Sequence, residues 1–152
     1  MKTYMQLVAT ISAEIDEVFP WDVEGKIDQY TLILDIREPH EFDAMKIQGS
    51  FNVPRGVLES ACEWNYEDTL PELAKSRDQT ILVVCRSGHR SALAAHTMKS
   101  LGFKQVKSLK TGLRGWFEYE LPLVDKNNTT VDENTAEKFF ESHVQDHQLT
   151  PK

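Results

Sequence analysis

Two short runs of apolar, mostly β-branched residues stand out near the middle of the chain. They are TLILDI at residues 31–36 and ILVV at residues 81–84. Neither run alternates with polar residues, which is typical of strands buried on both faces of a parallel sheet. A weaker strand is predicted at QVKSL, residues 105–109, and a brief one at SFNV, residues 50–53.

Helical patterns lie between these strands. Residues 91–101 are rich in alanine and leucine and are followed by Gly102, so a helix with a glycine stop is predicted there. Shorter helices are predicted at residues 56–64 and 70–75, and another begins at Pro39. Because strands and helices alternate, the sequence predicts an α/β fold with a central parallel sheet flanked by helices on both faces.

Both ends of the chain are predicted as extensions of a domain that covers residues 23–124. In residues 1–22, apolar side chains recur at helical spacing, at Tyr4, Leu7, Val8, Ile11, Ile15 and Val18. This N-terminal helix, closed by Pro20, could pack on the core or dock a second copy of the chain. Residues 125–152 form an acidic C-terminal extension with helical character and a small apolar face at Phe139, Phe140 and Val144.

Charge and composition narrow the function classes. The net charge of −7 argues against a nucleic-acid-binding protein, so no nucleic-acid partner is expected, and any anion site must be built locally. No apolar stretch is long enough for a membrane span or a signal peptide, and no membrane partner is expected. The two cysteines are too few for a disulfide scaffold, which favours a reducing, cytoplasmic location.

The segment CRSGHRS carries the clearest chemistry in the sequence. Cys85 stands at the carboxyl end of a predicted strand, where α/β folds place their sites. The next six residues supply donors and a permissive turn: Arg86, Ser87, Gly88, His89, Arg90 and Ser91. Loop amides and a helix N-terminus would add positive potential. Such a cradle favours a thiolate, which suits attack on an oxyanion or formation of an anionic persulfide.

Several of these residues also have purely structural interpretations. Most cysteines are small core residues, but such a residue would not need two arginines, a histidine and a glycine directly after it. His89 could line the pocket or lie on the surface. Cys62 is interpreted as structural or merely exposed. No metal site is expected, because no second Cys or His lies at ligand spacing beside Cys85.

Three segments resemble the single-domain rhodaneses, sulfurtransferases whose cysteine carries a persulfide. CRSGHRS resembles their active-site loop, and LILDIREPHEFDAMKIQGSFNVPRG is similar to their N-terminal signature. TGLRGW is similar to their C-terminal signature, with Thr111 where many members have a second glycine. The resemblance covers residues 31–123 and implies a rhodanese-like fold.

The resemblance also implies roles for individual residues. Cys85 would be the nucleophile, and the amides of residues 86–90 would hold the terminal sulfur. Arg86 and Arg90 would meet an anionic donor such as thiosulfate. Asp35 and Arg37, with Glu38, would support the loop and the sheet edge, and Trp116 would belong to the core or the pocket wall.

The implied reaction moves a sulfane sulfur from an anionic donor through Cys85 to cyanide, a thiol or a protein cysteine, without metal or organic cofactor.

A phosphatase family uses the same fold with one more residue between cysteine and arginine. The four residues between Cys85 and Arg90 match the shorter sulfurtransferase loop. A persulfide carrier that docks to a partner protein is the alternative, and a regulatory module would lack the cysteine. The oligomeric state stays open.

Overall fold

A computed structural model describes residues 2–152 of the chain. Five strands pair in parallel in one sheet, in the order β1-β5-β4-β2-β3. The strands are β1 (Asp16–Val18), β2 (Leu32–Asp35), β3 (Phe51–Asn52), β4 (Thr80–Val84) and β5 (Gln105–Leu109). The parallel sheet, with helices on both faces, confirms the predicted fold class.

The helices fill the connections between strands and both ends of the chain. They are α1 (Tyr4–Ser12), α2 (Pro20–Val23), α3 (Pro39–Ala44), α4 (Leu58–Ala61), α5 (Pro71–Ala74), α6 (His89–Ser100), α7 (Gly112–Glu118) and α8 (Glu133–Phe140). The helices predicted at 56–64 and 70–75 are only single turns, because prolines and short polar segments bound them. Within residues 2–152, no helix combines the length and the apolar character that a membrane crossing requires.

The central strands bury side chains on both faces, as their unbroken apolar runs predict. Ile81 and Val83 point into a core shared with α4, α5 and α6. Leu82 and Val84 point into a second core shared with α7 and α8. All four are fully buried, so β4 is held rigidly from both sides. Its carboxyl end is therefore a fixed platform for the residues that follow.

The N-terminal segment differs from the predicted helix. The helix ends at Ser12, and Asp16–Val18 forms the edge strand β1 beside β5. Ile15 packs against the core of α4–α6, whereas Val18 packs against the core of α7 and α8. A helix would place these two residues on one side, but an extended chain places residues three apart on opposite faces. The spacing alone therefore did not distinguish the two structures.

The acidic C-terminal extension packs onto the sheet through α8. Asp132 caps the helix by accepting a hydrogen bond from the amide of Thr135 at 2.8 Å. Ala136 and Phe140 are buried in the core of α7 and α8, whereas Val144 lies beyond the helix and is 57% exposed. The predicted apolar face therefore includes Phe139 and Phe140 but not Val144.

Candidate active site

Cys85 follows directly after β4, at the carboxyl edge of the sheet. A three-residue loop leads from it to α6, which begins at His89. Gly88 caps this helix with φ +87°, a left-handed conformation that costs glycine little. The strand, the tight loop and the helix N-terminus are thus arranged as the sequence predicts.

Three hydrogen-bonding groups converge on the sulfur of Cys85. The amide of Gly88 donates to Sγ at 3.1 Å, and the amide of Ser91 donates to it at 3.3 Å. The hydroxyl oxygen of Ser91 lies 3.4 Å from Sγ. Cys85 is 1% exposed, so the two amide donors act in a site with little water, where their dipoles stabilise negative charge strongly.

The loop is held from behind by the start of α7. The amides of Leu113 and Arg114 donate to the carbonyls of Cys85 and Arg86 at 2.8 and 3.0 Å. These bonds hold the two carbonyls, while the amides of Gly88 and Ser91 face the sulfur. A Cβ on Gly112 would lie 2.4 Å from the backbone of Arg86, so the close approach requires glycine there.

The side chain of Arg86 is bound to the C-terminal extension. Its Nη2 donates to the carbonyls of Phe140 and Glu141 at 2.9 and 3.1 Å. These carbonyls lie at the end of α8, where the helix carries partial negative charge. The predicted role of Arg86 toward an anionic donor would therefore require sharing or release of this contact.

Arg90 forms a two-pronged ion pair with Glu41 of α3. The Nη1–Oε1 and Nη2–Oε2 distances are 2.8 and 2.9 Å. Burial alone would raise the pKa of Glu41, but the hydrogen bonds and charge of Arg90 outweigh it and the pKa is lowered. The hydrogen bonds that Arg90 donates to Glu41 in turn raise the pKa of Arg90. The pair stays ionised, and Glu41 compensates much of the charge that Arg90 brings to the loop.

Ser87 and His89 line a cavity beside the loop. The cavity has a volume of about 330 Å³ and is closed on one side by Met5, Val8 and Ala9 of α1. The ring of Tyr4 meets that of His89 edge to face, with ring centroids 6.0 Å apart. His89 therefore lines this cavity, and its role in binding a donor or a persulfide stays a prediction. The N-terminal segment thus contributes a wall near the site.

Asp35 and Arg37 form a fully buried ion pair at the end of β2. The Nη2–Oδ2 distance is 2.8 Å, and Nη2 also donates to the carbonyl of Met45 at 2.6 Å. Asn52 donates to the carbonyls of both residues. These contacts fix the sheet edge beside the site. Within the part of the chain that the structure describes, no hydrogen bond joins the pair to residues 86–91.

The other two residues weighed from the sequence lie in the core. Cys62 is buried, and burial raises its pKa to about 11, although the charge of Arg77 partly opposes the shift. It is therefore a neutral thiol at physiological pH. Trp116 is 4% exposed and donates through Nε1 to the carbonyl of Pro122 at 3.0 Å. Its place is in the core, not at the sulfur.

Two residues that contact the site, Ser108 and Glu41, are not predicted from the sequence. Ser108 of β5 lies 2.7 Å from the hydroxyl of Ser91, and Glu41 neutralises Arg90. A signal for Ser108 exists in QVKSL, because Ser108 has the same strand parity as the buried Val106. A small polar residue at a core position needs a partner. For Glu41, the pairing only becomes visible once α3 and α6 are placed together.

Residues 20–119 match the model of the rhodanese-like domain. This chain belongs to that family. The rhodanese match contains β2 to β5, the Cys85 loop and α7, whereas α1 and α8 lie outside it. At this coarse level, the chain is a rhodanese-like sulfurtransferase domain.

Relatives of the domain differ in how they are described. The chain is 38% identical over 101 residues to "Putative sulfur carrier protein YrkF" of Bacillus subtilis, covering 66% of this chain and 48% of that protein. It is 34% identical over 95 residues to "Putative thiosulfate sulfurtransferase, mitochondrial" of Schizosaccharomyces pombe, covering 60% of this chain and 65% of that protein. The chain thus spans less than two thirds of either relative.

A solved structure from Rhodopseudomonas palustris is also similar. It is described as a protein of unknown function, possible tyrosine phosphatase. It shares 27% identity with a TM-score of 0.72, over 80% of this chain and 94% of that one. The overall similarity is therefore compatible with two chemistries, sulfur transfer and phosphate hydrolysis. The geometry around Cys85 is the feature that can distinguish between them.

Proposed function

We propose that this rhodanese-like domain transfers a sulfane sulfur from thiosulfate or a similar anionic donor to a thiophilic acceptor through a persulfide on Cys85. The observation that carries the proposal is the convergence of two amides and one hydroxyl on the buried Sγ. Charge-assisted hydrogen bonds of this kind stabilise an anionic sulfur. Within residues 2–152, no group donates a hydrogen bond to Sγ of Cys62, which is a buried thiol.

The proposed cycle has two balanced half-reactions. In the first, the Cys85 thiolate attacks the outer sulfur of thiosulfate, the sulfur–sulfur bond of the donor breaks, and sulfite leaves with the electron pair. In the second, an acceptor thiolate or cyanide attacks the outer sulfur of the persulfide, and the Cys85 thiolate leaves. Persulfide and acceptor product form alternately, so ping-pong kinetics are expected. The cycle needs no metal or organic cofactor.

The loop spacing supports sulfur transfer over phosphate hydrolysis. Four residues separate Cys85 from Arg90, and the fork of Arg90 is already filled by Glu41. A phosphate dianion would need that fork and a wider ring of amides, whereas a single outer sulfur needs neither. We therefore expect no measurable hydrolysis of an aryl phosphate by this chain.

The deciding test is the mass of the intact protein after treatment with thiosulfate. The wild-type chain should gain about 32 Da, one sulfur atom on an activated cysteine. Cys85→Ser should gain nothing, and Cys62→Ser should behave like the wild type. A wild-type protein that never takes up sulfur, or one that hydrolyses the aryl phosphate instead, would overturn the proposed function.

A second candidate function, that of a persulfide carrier serving a partner protein, is favoured by a groove between α7 and α8. Its volume is about 690 Å³. Its apolar lining comes from Phe117, Leu121, Val131, Ala136 and Phe140, and five glutamates also line it: Glu118, Glu120, Glu133, Glu137 and Glu141. The one lining arginine, Arg114, is paired with Glu118 at 3.2 Å.

The groove adjoins the sulfur site. The carbonyls of Phe140 and Glu141, which line it, accept the hydrogen bonds of Arg86, the residue after Cys85. An apolar lining with an anionic rim fits a cationic, partly apolar segment of an acceptor protein. The overall charge of −7 would steer such a partner toward the domain.

Charge reversal at the groove tests the carrier function. A cationic peptide containing leucine, lysine and one cysteine serves as acceptor, and cyanide, which is too small to need the groove, serves as the comparison acceptor. Glu133→Lys with Glu137→Lys should lower kcat/KM for the peptide about tenfold, with little change for cyanide. The matched control reverses Glu59 and Glu72, which are exposed and lie outside the groove lining. Equal effects of both pairs would contradict docking in the groove.

The finer location is also part of the proposal. Both cysteines are free and buried, and free thiols are typical of proteins in reducing compartments. We therefore place the proposed cycle in the cytoplasm, as the sequence predicts.

A further inference from the structure

Two buried hydroxyl groups form a short chain beneath the sulfur of Cys85. The hydroxyl oxygen of Ser91 lies 3.4 Å from Sγ, and that of Ser108 lies 2.7 Å from Ser91. Both serines are 0% exposed. Ser91 belongs to the first turn of α6 and Ser108 to β5, so two different elements of the sheet core contribute the chain.

The position of Ser108 is fixed by its strand. It pairs with Val83 of β4 and with Glu17 of β1, so strands flank it on both sides. Val106, two residues earlier on the same face, is apolar and buried. A hydroxyl at such a position loses its water and must find a protein partner. Within residues 2–152, Ser91 is the only hydrogen-bond partner of the Ser108 hydroxyl.

The number of protons on these groups determines the direction of the hydrogen bonds between Ser108, Ser91 and Cys85. If Cys85 is a thiol that donates to Ser91, the Ser91 proton goes to Ser108, and the Ser108 proton has no acceptor. If Cys85 is a thiolate, Ser108 donates to Ser91 and Ser91 donates to Sγ, so that each proton has an acceptor. A buried donor without an acceptor is unfavourable. The two hydroxyls are therefore matched to the thiolate form.

The two serine hydroxyls stabilise the persulfide form less than they stabilise the thiolate form. After sulfur uptake, the negative charge lies mainly on the outer sulfur, and Sγ, now bonded to carbon and sulfur, is a weak acceptor. The hydroxyl chain thus gains most when charge returns to Sγ. In the proposed cycle, that happens in the second half-reaction, when the acceptor takes the outer sulfur and Cys85 leaves as a thiolate.

We propose that Ser108 is a positioning residue for sulfur release: its hydroxyl donates to Ser91 and so directs the Ser91 hydroxyl onto the departing sulfur of Cys85. This inference rests on the proposed function. The bond that breaks joins Sγ to the outer sulfur, the electron pair stays on Sγ, and the outer sulfur bonds to the acceptor. No proton is transferred. Each hydroxyl group keeps its proton, and only the strength of its hydrogen bond changes.

The experiment separates the two half-reactions. Protein is charged with thiosulfate, freed of excess donor, and mixed with cyanide, while thiocyanate release is followed by rapid quench. Ser108→Ala should slow release about tenfold, the effect of losing one aligned charge-assisted bond. The rate of persulfide formation, followed by intact mass, should change less than about threefold, because charge leaves Sγ in that step. Ser108→Thr retains a hydroxyl and should recover most of the release rate.

A double-mutant cycle with Ser91→Ala shows whether Ser108 acts through Ser91. Ser108→Ala should have no further effect once the Ser91 hydroxyl is absent. Ser50→Ala, which removes another buried hydroxyl bonded to the carbonyl of Ile47, controls for general loss of stability. Equal slowing in both Ser91 backgrounds, or release at the wild-type rate, would overturn the inference while leaving the persulfide cycle intact. A wild type that takes up no sulfur would instead defeat the proposed function.

Discussion

Glu41 and Arg90 decide how much positive charge the loop offers. The sequence supplies two arginines after Cys85, yet Arg90 is paired with Glu41, and Arg86 donates to the carbonyls at the end of α8. The electrostatic support of the sulfur therefore comes mainly from the amides of Gly88 and Ser91. Those amides cannot be removed by side-chain substitution, which makes the backbone conformation of the loop the most important feature of the site.

The Glu41–Arg90 pair should make stability depend on pH. The pKa of Glu41 is lowered in the folded protein, so its stabilisation is complete above its ordinary value of 4.5 and is lost as pH falls through the lowered value. Glu41→Gln should reduce the free energy of unfolding by about 2 kcal/mol at pH 7. Urea unfolding should show this difference shrinking toward pH 3. A difference that stays constant between pH 7 and pH 3 would argue against the pair.

At the scale of elements, α7 determines the shape of the loop. Its first residue, Gly112, and the amides that follow hold the carbonyls of Cys85 and Arg86. Thr111, just before it, has φ +71°, which is unfavourable for a β-branched residue. The Thr111 side chain fills the space beside Gly115, where an added Cβ would lie 1.8 Å from Oγ1. Gly115 should therefore accept a side chain only when Thr111 is replaced by a smaller residue.

That coupling can be measured directly. Gly115→Ala alone should cost about 2 kcal/mol, because the new methyl group would overlap the Cβ and Oγ1 atoms of Thr111. In a Thr111→Gly background the same change should cost less than about 1 kcal/mol, since the obstacle is gone. Urea denaturation of the four proteins gives the coupling energy. Equal costs in both backgrounds would mean that Gly115 is required for another reason.

The elements also explain how much the sequence could reveal. β2, β4 and α6 were predictable because their local pattern matches their final burial, and the position of Cys85 follows from the end of β4. The strand β1 was not, because Ile15 and Val18 fit a helix as well as an extended chain. Contacts across long separations, such as those of Ser108 and Glu41, depend on the order of strands in the sheet, which no local pattern specifies.

For the whole molecule, the two segments outside the matched residues 20–119 pack against the family fold. The helix α1 lies against α6 and closes the cavity at His89, and α8 covers the second core and binds Arg86. The rhodanese sheet is therefore flanked at its site by two elements that lie outside the family match. Differences in substrate between this chain and its relatives are expected to arise from them.

Phe140 should anchor the C-terminal segment. It is 4% exposed and packs near Phe117 and Phe139, so Phe140→Ala should lower the free energy of unfolding by about 3 kcal/mol. Val144→Ala should change it by less than about 0.5 kcal/mol, because Val144 is exposed. Chemical denaturation of the full chain measures both. Similar losses for the two variants would mean that α8 is held elsewhere.

In the proposed cycle, the burial of Cys85 limits which molecules can exchange sulfur with it. With 1% of the residue exposed, a bulky nucleophile cannot reach the outer sulfur unless its reactive atom projects well ahead of its body. Cyanide and slender thiols meet this condition, as does a cysteine at the tip of a protruding loop or a flexible tail. A cysteine on the flat side of a helix does not. The depth of the thiol thus acts as a steric filter on delivery, independent of affinity.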